Sequence, residues 1–228
     1  MRDNTTLIIL TRNCEKKIEG MISLLSTYCK KYHNIQEVII GDNASEDETP
    51  KNLEAYKTNK IQLILYQKKN KKKLFLECIG VTNTPLVVTL EPDLNTRLHQ
   101  LQRQIKKLRK TDLLLLNRLD KESLVRFKSK TEELKIKTRN LIIRILARIQ
   151  YEDLTNENKA FKKDKLEPIL KKTKSKRRFW VEAIKRCEKK GIKISQSRTH
   201  YIQEEKKKED KLLLFFKEVK ELLKIRKI

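Results

Sequence analysis

Val38-Ile39-Ile40-Gly41-Asp42-Asn43-Ala44-Ser45-Glu46-Asp47-Glu48-Thr49 sets a short β-branched run directly against a segment rich in oxygen donors. Branched side chains pack well on a pleated surface, so Gln36–Ile40 reads as a buried strand and the donors as the loop beyond its carboxyl end. Working outward, Thr5–Leu10, Ile61–Tyr66, Leu86–Leu90 and Leu113–Leu116 are further such runs, separated by polar segments long enough for crossover helices. One of these, Glu15 to Tyr28, places Ile18, Ile22, Leu25 and Tyr28 at helical spacing. Strands alternating with helices specify an α/β fold with a mostly parallel central sheet flanked by helices.

In such sheets ligands bind where the loops converge beyond the strands' carboxyl ends. Two of those loops are acidic: the one quoted above, and Glu91-Pro92-Asp93-Leu94-Asn95 after Val87-Val88-Thr89-Leu90. Carboxylates one residue apart at a strand end, with another oxygen donor two residues on, suit a hard divalent cation. Glu91, Asp93 and Asn95 are therefore candidate ligands for Mg²⁺ or Mn²⁺. The chain holds 4 glycines and has neither a P-loop nor a G-x-G-x-x-G, which excludes glycine-built phosphate cradles. No nucleophile elbow or Ser-His-Asp or Cys-His constellation stands out, so hydrolase chemistry has no support. Cys14, Cys29, Cys78 and Cys187 are scattered without C-x-x-C spacing, and His33, His99 and His200 pair with none of them. Reduced structural thiols are expected rather than disulfides or zinc.

Lysine and arginine number 55 against 30 acids, a formal net charge of +25. The surplus is uneven: residues 1–100 carry 15 basic and 12 acidic residues (net +3), residues 101–228 carry 40 and 18 (net +22). A negatively charged partner is expected for the second half, beside an ordinary solvated role for runs such as Lys206-Lys207-Lys208. Aromatics make up 6% of the chain and no helix-turn-helix, zinc-finger, RRM or KH pattern occurs, which argues against nucleic acid. No run approaches the roughly 18 apolar residues of a membrane span, and Met1-Arg2-Asp3-Asn4 passes straight into a strand-like run, so a cytoplasmic protein is expected.

The loops resemble those of the inverting family-2 glycosyltransferases, and within them the dolichyl-phosphate mannose synthase group, over roughly residues 5–212. Thr6 to Asn13 looks like the first strand and its loop, usually ending Pro-Thr-Tyr-Asn. Asp42-Asn43-Ala44-Ser45-Glu46-Asp47-Glu48-Thr49 matches the nucleotide-contacting D-N-A-S-x-D-x-T variant, the most specific motif, and Glu91-Pro92-Asp93-Leu94-Asn95 falls at Asp-Ala-Asp-Leu-Gln. Leu113 to Arg118 resembles the strand ending in an arginine near the donor phosphates. Asp153-Leu154-Thr155-Asn156-Glu157-Asn158-Lys159-Ala160-Phe161 looks like Asp-Pro-Thr-Ser-Gly-Phe-Arg-Ala-Phe. Glu182 to Ile194 resembles Glu-Leu-x-x-Arg-x-x-x-x-Gly, and Lys211 falls at the lysine of a closing Arg-x-x-Gly-x-Ser-Lys-Leu. The chain departs from the pattern at Leu10 (proline), Arg12 (tyrosine), Glu91 (aspartate), Pro92 (alanine) and Glu205 (arginine). It also lacks the glycines expected between Asn70 and Thr84, where Lys72 and Cys78 stand.

The resemblance implies a GT-A fold and transfer of a hexose from a nucleotide-diphosphate sugar, of GDP-mannose or UDP-glucose type, to a polyprenyl or dolichyl phosphate. It implies a donor site at Leu10, Thr11, Arg12, Asp42, Asn43, Glu91, Pro92 and Asp93. It further implies a metal on Glu91, Asp93 and Asn95, and Arg118, Arg126 and Lys211 beside Asp93 as catalytic groups that position acceptor oxygens. The expected organisation is a GT-A domain over 1–205, divided into a nucleotide-sugar half (1–100) and an acceptor half (101–205), then a basic amphipathic helix over 206–228. Two stretches could meet an anionic membrane surface or a membrane-anchoring partner: Leu134, Thr138, Leu141, Ile145 and Arg148 on one helical face, and Leu212, Phe215, Phe216, Val219, Leu222 and Leu223 on another. Packing of either on its own domain is the alternative. A glycosyltransferase of the same fold with a different acceptor or a catalytically silent relative is the alternative reading, and a basic nucleic-acid-binding protein the second.

Overall fold

The computed structural model describes residues 3–94, 98–202 and 212–228. From the amino end, β1 (Thr5–Thr11), α1 (Glu15–Lys31), β2 (Ile35–Asn43), α2 (Thr49–Glu54), β3 (Ile61–Tyr66), α3 (Lys71–Gly80) and β4 (Leu86–Leu90) alternate as the apolar runs dictate. A single 3-10 turn (Leu98–Gln100) leads into α4 (Leu101–Lys107), β5 (Leu113–Asn117), β6 (Leu124–Arg126) and α5 (Lys130–Ala147). The chain continues through β7 (Lys159–Lys162), α6 (Lys163–Lys171), α7 (Phe179–Lys189), β8 (Ile194–Arg198), β9 (His200–Ile202) and α8 (Leu212–Arg226).

Seven strands form one sheet in the order β3-β2-β1-β4-β7-β5-β8, and β6 pairs with β9 in a small parallel ribbon. Within the large sheet only β7 runs antiparallel, clamped between β4 and β5. Successive strands step outward from β1 to β3, after which β4 returns to the other side of β1. That reversal opens a crevice at the carboxyl ends of β1 and β4.

Both sheet faces are covered, which is why the strands read as continuous apolar runs. Leu7 and Ile9 of β1 face α1 and α4 through Ile18, Leu25 and Ile105, while Ile8 between them packs with Leu74, Phe75 and Ile79 of α3. Gly41 lies where α3 approaches most closely: a Cβ there would meet Leu10 Cδ2 at 2.9 Å, Leu74 Cγ at 3.0 Å and Cys78 Sγ at 3.0 Å.

One expected boundary changes. Strand β2 is longer than the apolar run, because Asp42 and Asn43 continue the ladder with Leu65 and Tyr66 of β3. Asp42 thus belongs to a strand end and is 1% exposed. Helix α5 buries Asn140, Ile143 and Ala147, whereas Leu134, Leu141 and Ile145, on the face read as meeting a membrane surface, a partner or its own domain, are exposed. Helix α8 packs on α5 and α7 with Leu222 and Ile225 buried, while Leu223 is exposed. The side chains of Leu212, Phe215 and Phe216 lie outside those described.

Candidate functional site

The crevice at the β1/β4 reversal is part of a cleft of about 1510 Å³. Its floor is made by strand ends: Leu10 and Thr11 at the end of β1 with Arg12 after it, Asn43 at the end of β2, and Glu91, Pro92 and Asp93 after β4. Residues 83 positions apart in the chain meet here because parallel strands deliver all their carboxyl ends to one edge. Opposite them stand Leu134, Thr138 and Arg139 of α5, Arg178 before α7, and Glu218 and Leu222 of α8.

Asp42 lies beneath this floor. Its carboxylate accepts hydrogen bonds from Thr11 Oγ1 (3.0 Å), Ser45 N (2.9 Å) and Ser45 Oγ (2.5 Å), so it ties the β1 end to the β2 turn. The tie is repeated around it: Asn13 N donates to Ser45 Oγ (2.9 Å), Glu46 N to Asn13 Oδ1 (2.9 Å) and Cys14 N to Thr49 Oγ1 (2.7 Å). Burial works against the charge of Asp47, but hydrogen bonds from Thr49 and the Glu15 N–H outweigh it and hold the carboxyl below its ordinary range. Much of the acidity of the quoted loop therefore builds a platform, and Asn43 is the part of it that reaches the cleft. Asn43 Oδ1 in turn accepts from Asn70 N (2.8 Å), and Asn70 Oδ1 caps α3 at Lys73 N (3.1 Å).

Where most folds would use glycine, this platform turns on Asn13 (φ 52°), Ala44 (φ 55°) and Leu94 (φ 46°), which follow β1, β2 and β4. Left-handed backbone in side-chain-bearing residues costs of order 1 kcal/mol each and persists where surrounding contacts over-determine it. All three flank the cleft floor.

Glu91 is held by its own backbone, whose N–H donates to Asn158 Oδ1 (2.9 Å). Beside it Glu157 also lines the cleft and pairs with Lys71 at 2.8 Å. Among the described residues no group of three or more His, Cys, Asp or Glu forms an all-protein metal cage. Mg²⁺-type sites instead use one or two carboxylates together with substrate phosphates, and Glu91 and Asp93 bring two carboxylates to the cleft floor. The third candidate ligand, Asn95, lies outside the described residues.

The acceptor-side candidates are not gathered in the same way. Arg118 does not line the cleft: its guanidinium donates to Asp153 from Nε (2.7 Å) and Nη2 (2.9 Å) and to Thr155 Oγ1 (2.9 Å), over the Tyr201 ring at 5.0 Å. Burial opposes the charge of Arg118, yet Asp153 more than compensates and raises its pKa, while Asp153 is lowered by the same pair despite its own burial. Arg126 is exposed on β6, away from the cleft lining, and Lys211 lies outside the described residues. The cations that do line the cleft are Arg12, Lys17, Lys71, Lys135, Arg139 and Arg178. Of these Arg12 alone was legible, through its place after β1; the rest carry no local signal that separates them from the chain's other bases.

Lys159 also lies where no sequence reading put it. It is 1% exposed on β7, donates to the Asn156 carbonyl and sits 4.9 Å over the Trp180 ring, and burial depresses its pKa to about 8. Together with Asn158 it fixes the segment that carries Glu157 against Glu91.

A model of the family described as Glycosyl transferase family 2 matches residues 6–170. No curated protein matches the sequence. Among solved structures, glucosyl-3-phosphoglycerate synthase from Mycobacterium tuberculosis, in complex with Mn²⁺, UDP-glucose and phosphoglyceric acid, superposes with a TM-score of 0.70 at 14% identity, covering 98% of this chain and 79% of that one. The mannosyltransferase PcManGT from Pyrobaculum calidifontis, in complex with GDP-Man and Mn²⁺, gives a TM-score of 0.60 at 16% identity, covering 88% of this chain and 56% of that one. At these identities the likeness is one of fold, and that fold is GT-A.

Proposed function

The chain belongs to glycosyl transferase family 2, and from that premise we propose that it transfers a hexose, with inversion, from a nucleotide-diphosphate sugar of GDP-mannose or UDP-glucose type to a polyprenyl or dolichyl phosphate. The observation that carries the reading is the convergence of Leu10-Thr11-Arg12, Asn43 and Glu91-Pro92-Asp93 on one cleft floor. Leu10, Thr11, Arg12 and Asn43 take the base and ribose, with Asp42 locking the turn on which they sit. Glu91 and Asp93, with Asn95, would hold Mg²⁺ or Mn²⁺. A divalent ion bound there neutralises the charge that grows on the departing diphosphate.

An acceptor phosphate is already an anionic nucleophile, so no dedicated base is needed. Its oxygen forms the new bond to the anomeric carbon while the bond to the diphosphate breaks, and the nucleoside diphosphate leaves with the electron pair. Arg12 and Lys71 contribute positive charge to the donor end. Arg118 acts as a positioning residue that fixes Asp153 and the Asn156–Asn158 segment behind Glu91. The acceptor half spans 101–205, the donor half 1–100, and the C-terminal helix closes the cleft.

The lipid acceptor is supported by α5. Leu134 lines the cleft and continues outward into exposed Leu141 and Ile145, flanked by Lys137, Arg144 and Arg148, which suits the surface of an anionic membrane. Among the described residues no helix is long and apolar enough to cross a membrane, so the approach would be peripheral. The test is incubation with Mn²⁺ or Mg²⁺, a panel of GDP- and UDP-sugars, and polyprenyl phosphate in anionic vesicles. Formation of a glycolipid with one donor is expected. Absence of product with every donor, together with unchanged nucleotide binding in Asp93→Ala, overturns the proposal.

A further inference from the structure

The cleft wall opposite the strand ends contains an arrangement that the donor site does not use. Arg178 reaches the cleft with its side chain 9% exposed, and its Nε is buried without a hydrogen-bond partner among the described residues. Arg139 approaches from α5, and the two guanidiniums share a single carboxylate: Glu218 of α8 accepts from Arg139 Nη2 at 3.0 Å on one oxygen and from Arg178 Nη2 on the other. A second acid of α8, Glu221, accepts from Ser175 Oγ at 2.5 Å, and that hydroxyl accepts from Arg178 N at 2.8 Å. Helix α8 is thus pinned over the cleft by Glu218 and Glu221, one turn apart.

Two arginines converge on one carboxylate, with Glu221 as a second acid whose charge also reaches Arg178, and Arg178 is the more demanding of the pair because it is largely removed from water. Burial first, and then the charge of Arg139, act against its charged form. A dianionic, three-oxygen group would satisfy both forks and the orphaned Nε more fully than one carboxylate does. Arg118 and Arg126 do not line the cleft and Lys211 lies outside the described residues, whereas Arg139 and Arg178 face the same cleft as Glu91 and Asp93.

We propose that Arg139 and Arg178 form the subsite for the phosphomonoester of the acceptor, and that Glu218 is its internal occupant, displaced when that phosphate binds. The inference rests on the transferase reading for the identity of the acceptor, but not for the existence of the anion site. Helix α8 then serves as a latch whose release is coupled to acceptor entry, since binding and latching compete for the same two guanidiniums.

The experiment measures binding by calorimetry without any sugar nucleotide, using inorganic phosphate, a short-chain prenyl phosphate and the prenyl alcohol of the same length. Glu218→Gln keeps the shape but removes the competing charge, and is expected to tighten both phosphates at least tenfold. Arg139→Gln, at the more exposed member of the pair, is expected to weaken them at least tenfold, and Arg178→Lys tests the buried member with its charge retained. Melting temperatures confirm that each variant is folded. Hydrogen exchange in α8 should rise when prenyl phosphate is added to the wild-type chain. Equal phosphate affinity in wild type and Glu218→Gln, or in wild type and Arg139→Gln, overturns the proposal, as does prenyl alcohol binding as tightly as prenyl phosphate. If the affinities follow the expected pattern while no donor yields glycolipid, the subsite stands and the transferase reading alone fails.

Discussion

The two halves of the molecule place their charged groups by different means. In residues 5–94 the cleft floor is delivered by strand ends: Thr11 is the ladder partner of Asp42, which lies beneath it, and Glu91 follows β4 immediately, while Lys17 and Lys71 join from α1 and α3. Beyond residue 100, position is set by pairs distant in sequence. Arg118 is claimed by Asp153, 35 residues on, and Arg139 by Glu218, 79 residues on. Backbone topology is encoded in hydrophobic periodicity, and so a site built on it can be read from one dimension. A site built on ion pairing depends on which acid each base finds, and with 55 bases and 30 acids the sequence permits many pairings.

Breaking Arg118–Asp153 should have the largest effect on the second half. Arg118→Met leaves a buried carboxylate with its main counter-charge gone, and loss of about 3–5 kcal/mol is expected in urea denaturation. A loss under about 1 kcal/mol would mean that the pair is not buried as described. On the donor side Asp93→Ala should separate function from stability: turnover is expected to fall about 10²–10³-fold with melting temperature unchanged.

Lys159 sharpens the contrast through pH. Its folded pKa of about 8 lies below the ordinary lysine value of 10.5, so the unfolded chain holds the proton more tightly between those values. The cost of burying that charge is full below pH 8 and is relieved as pH rises toward 10.5, worth about 3 kcal/mol at most. Stability of the wild type relative to Lys159→Met should therefore increase over that window; a difference flat with pH would show that the amine is not desolvated. The smallest effect is expected at Ala44, whose φ of 55° favours glycine. Ala44→Gly should stabilise by about 1 kcal/mol if the turn is strained, and destabilise if the loop depends on its stiffness.

The same division explains what could be read in advance. The strand runs Thr5–Leu10 and Leu86–Leu90 are buried on both faces and Ile61–Tyr66 is half-buried at the sheet edge, and the edges of all three fell within a residue of the structure. Strand β7 escaped because Lys159 and Lys162 bound a run of two, and β8 because Ser195-Gln196-Ser197 has no apolar alternation. Helix α5 is apolar on two sides, and what chooses between them is polar. Asn140 accepts from Leu154 N (2.8 Å) and Thr155 N (3.2 Å), anchoring the face that a hydrophobic count would turn outward. At the site, strand-end acids were visible, but that Asp42 would be buried under Thr11 and Ser45 was not, since the ladder runs on past the apolar residues.

The close approach of α3 to Gly41 also governs the thiol chemistry of the chain. Cys78 is packed against that glycine, and burial pushes its pKa to about 12, as it does for Cys187. At neutral pH a thiol so shifted is almost entirely unreactive, so alkylating reagents reach it when α3 lifts from the sheet rather than at the native surface. Cys14, on the cleft lining and less deeply enclosed, also has its pKa raised by burial but is expected to react without that opening. The labelling kinetics of Cys14 and Cys78 therefore act as two clocks in one chain, one timing solvent exchange at the cleft and the other the opening of the layer beneath it.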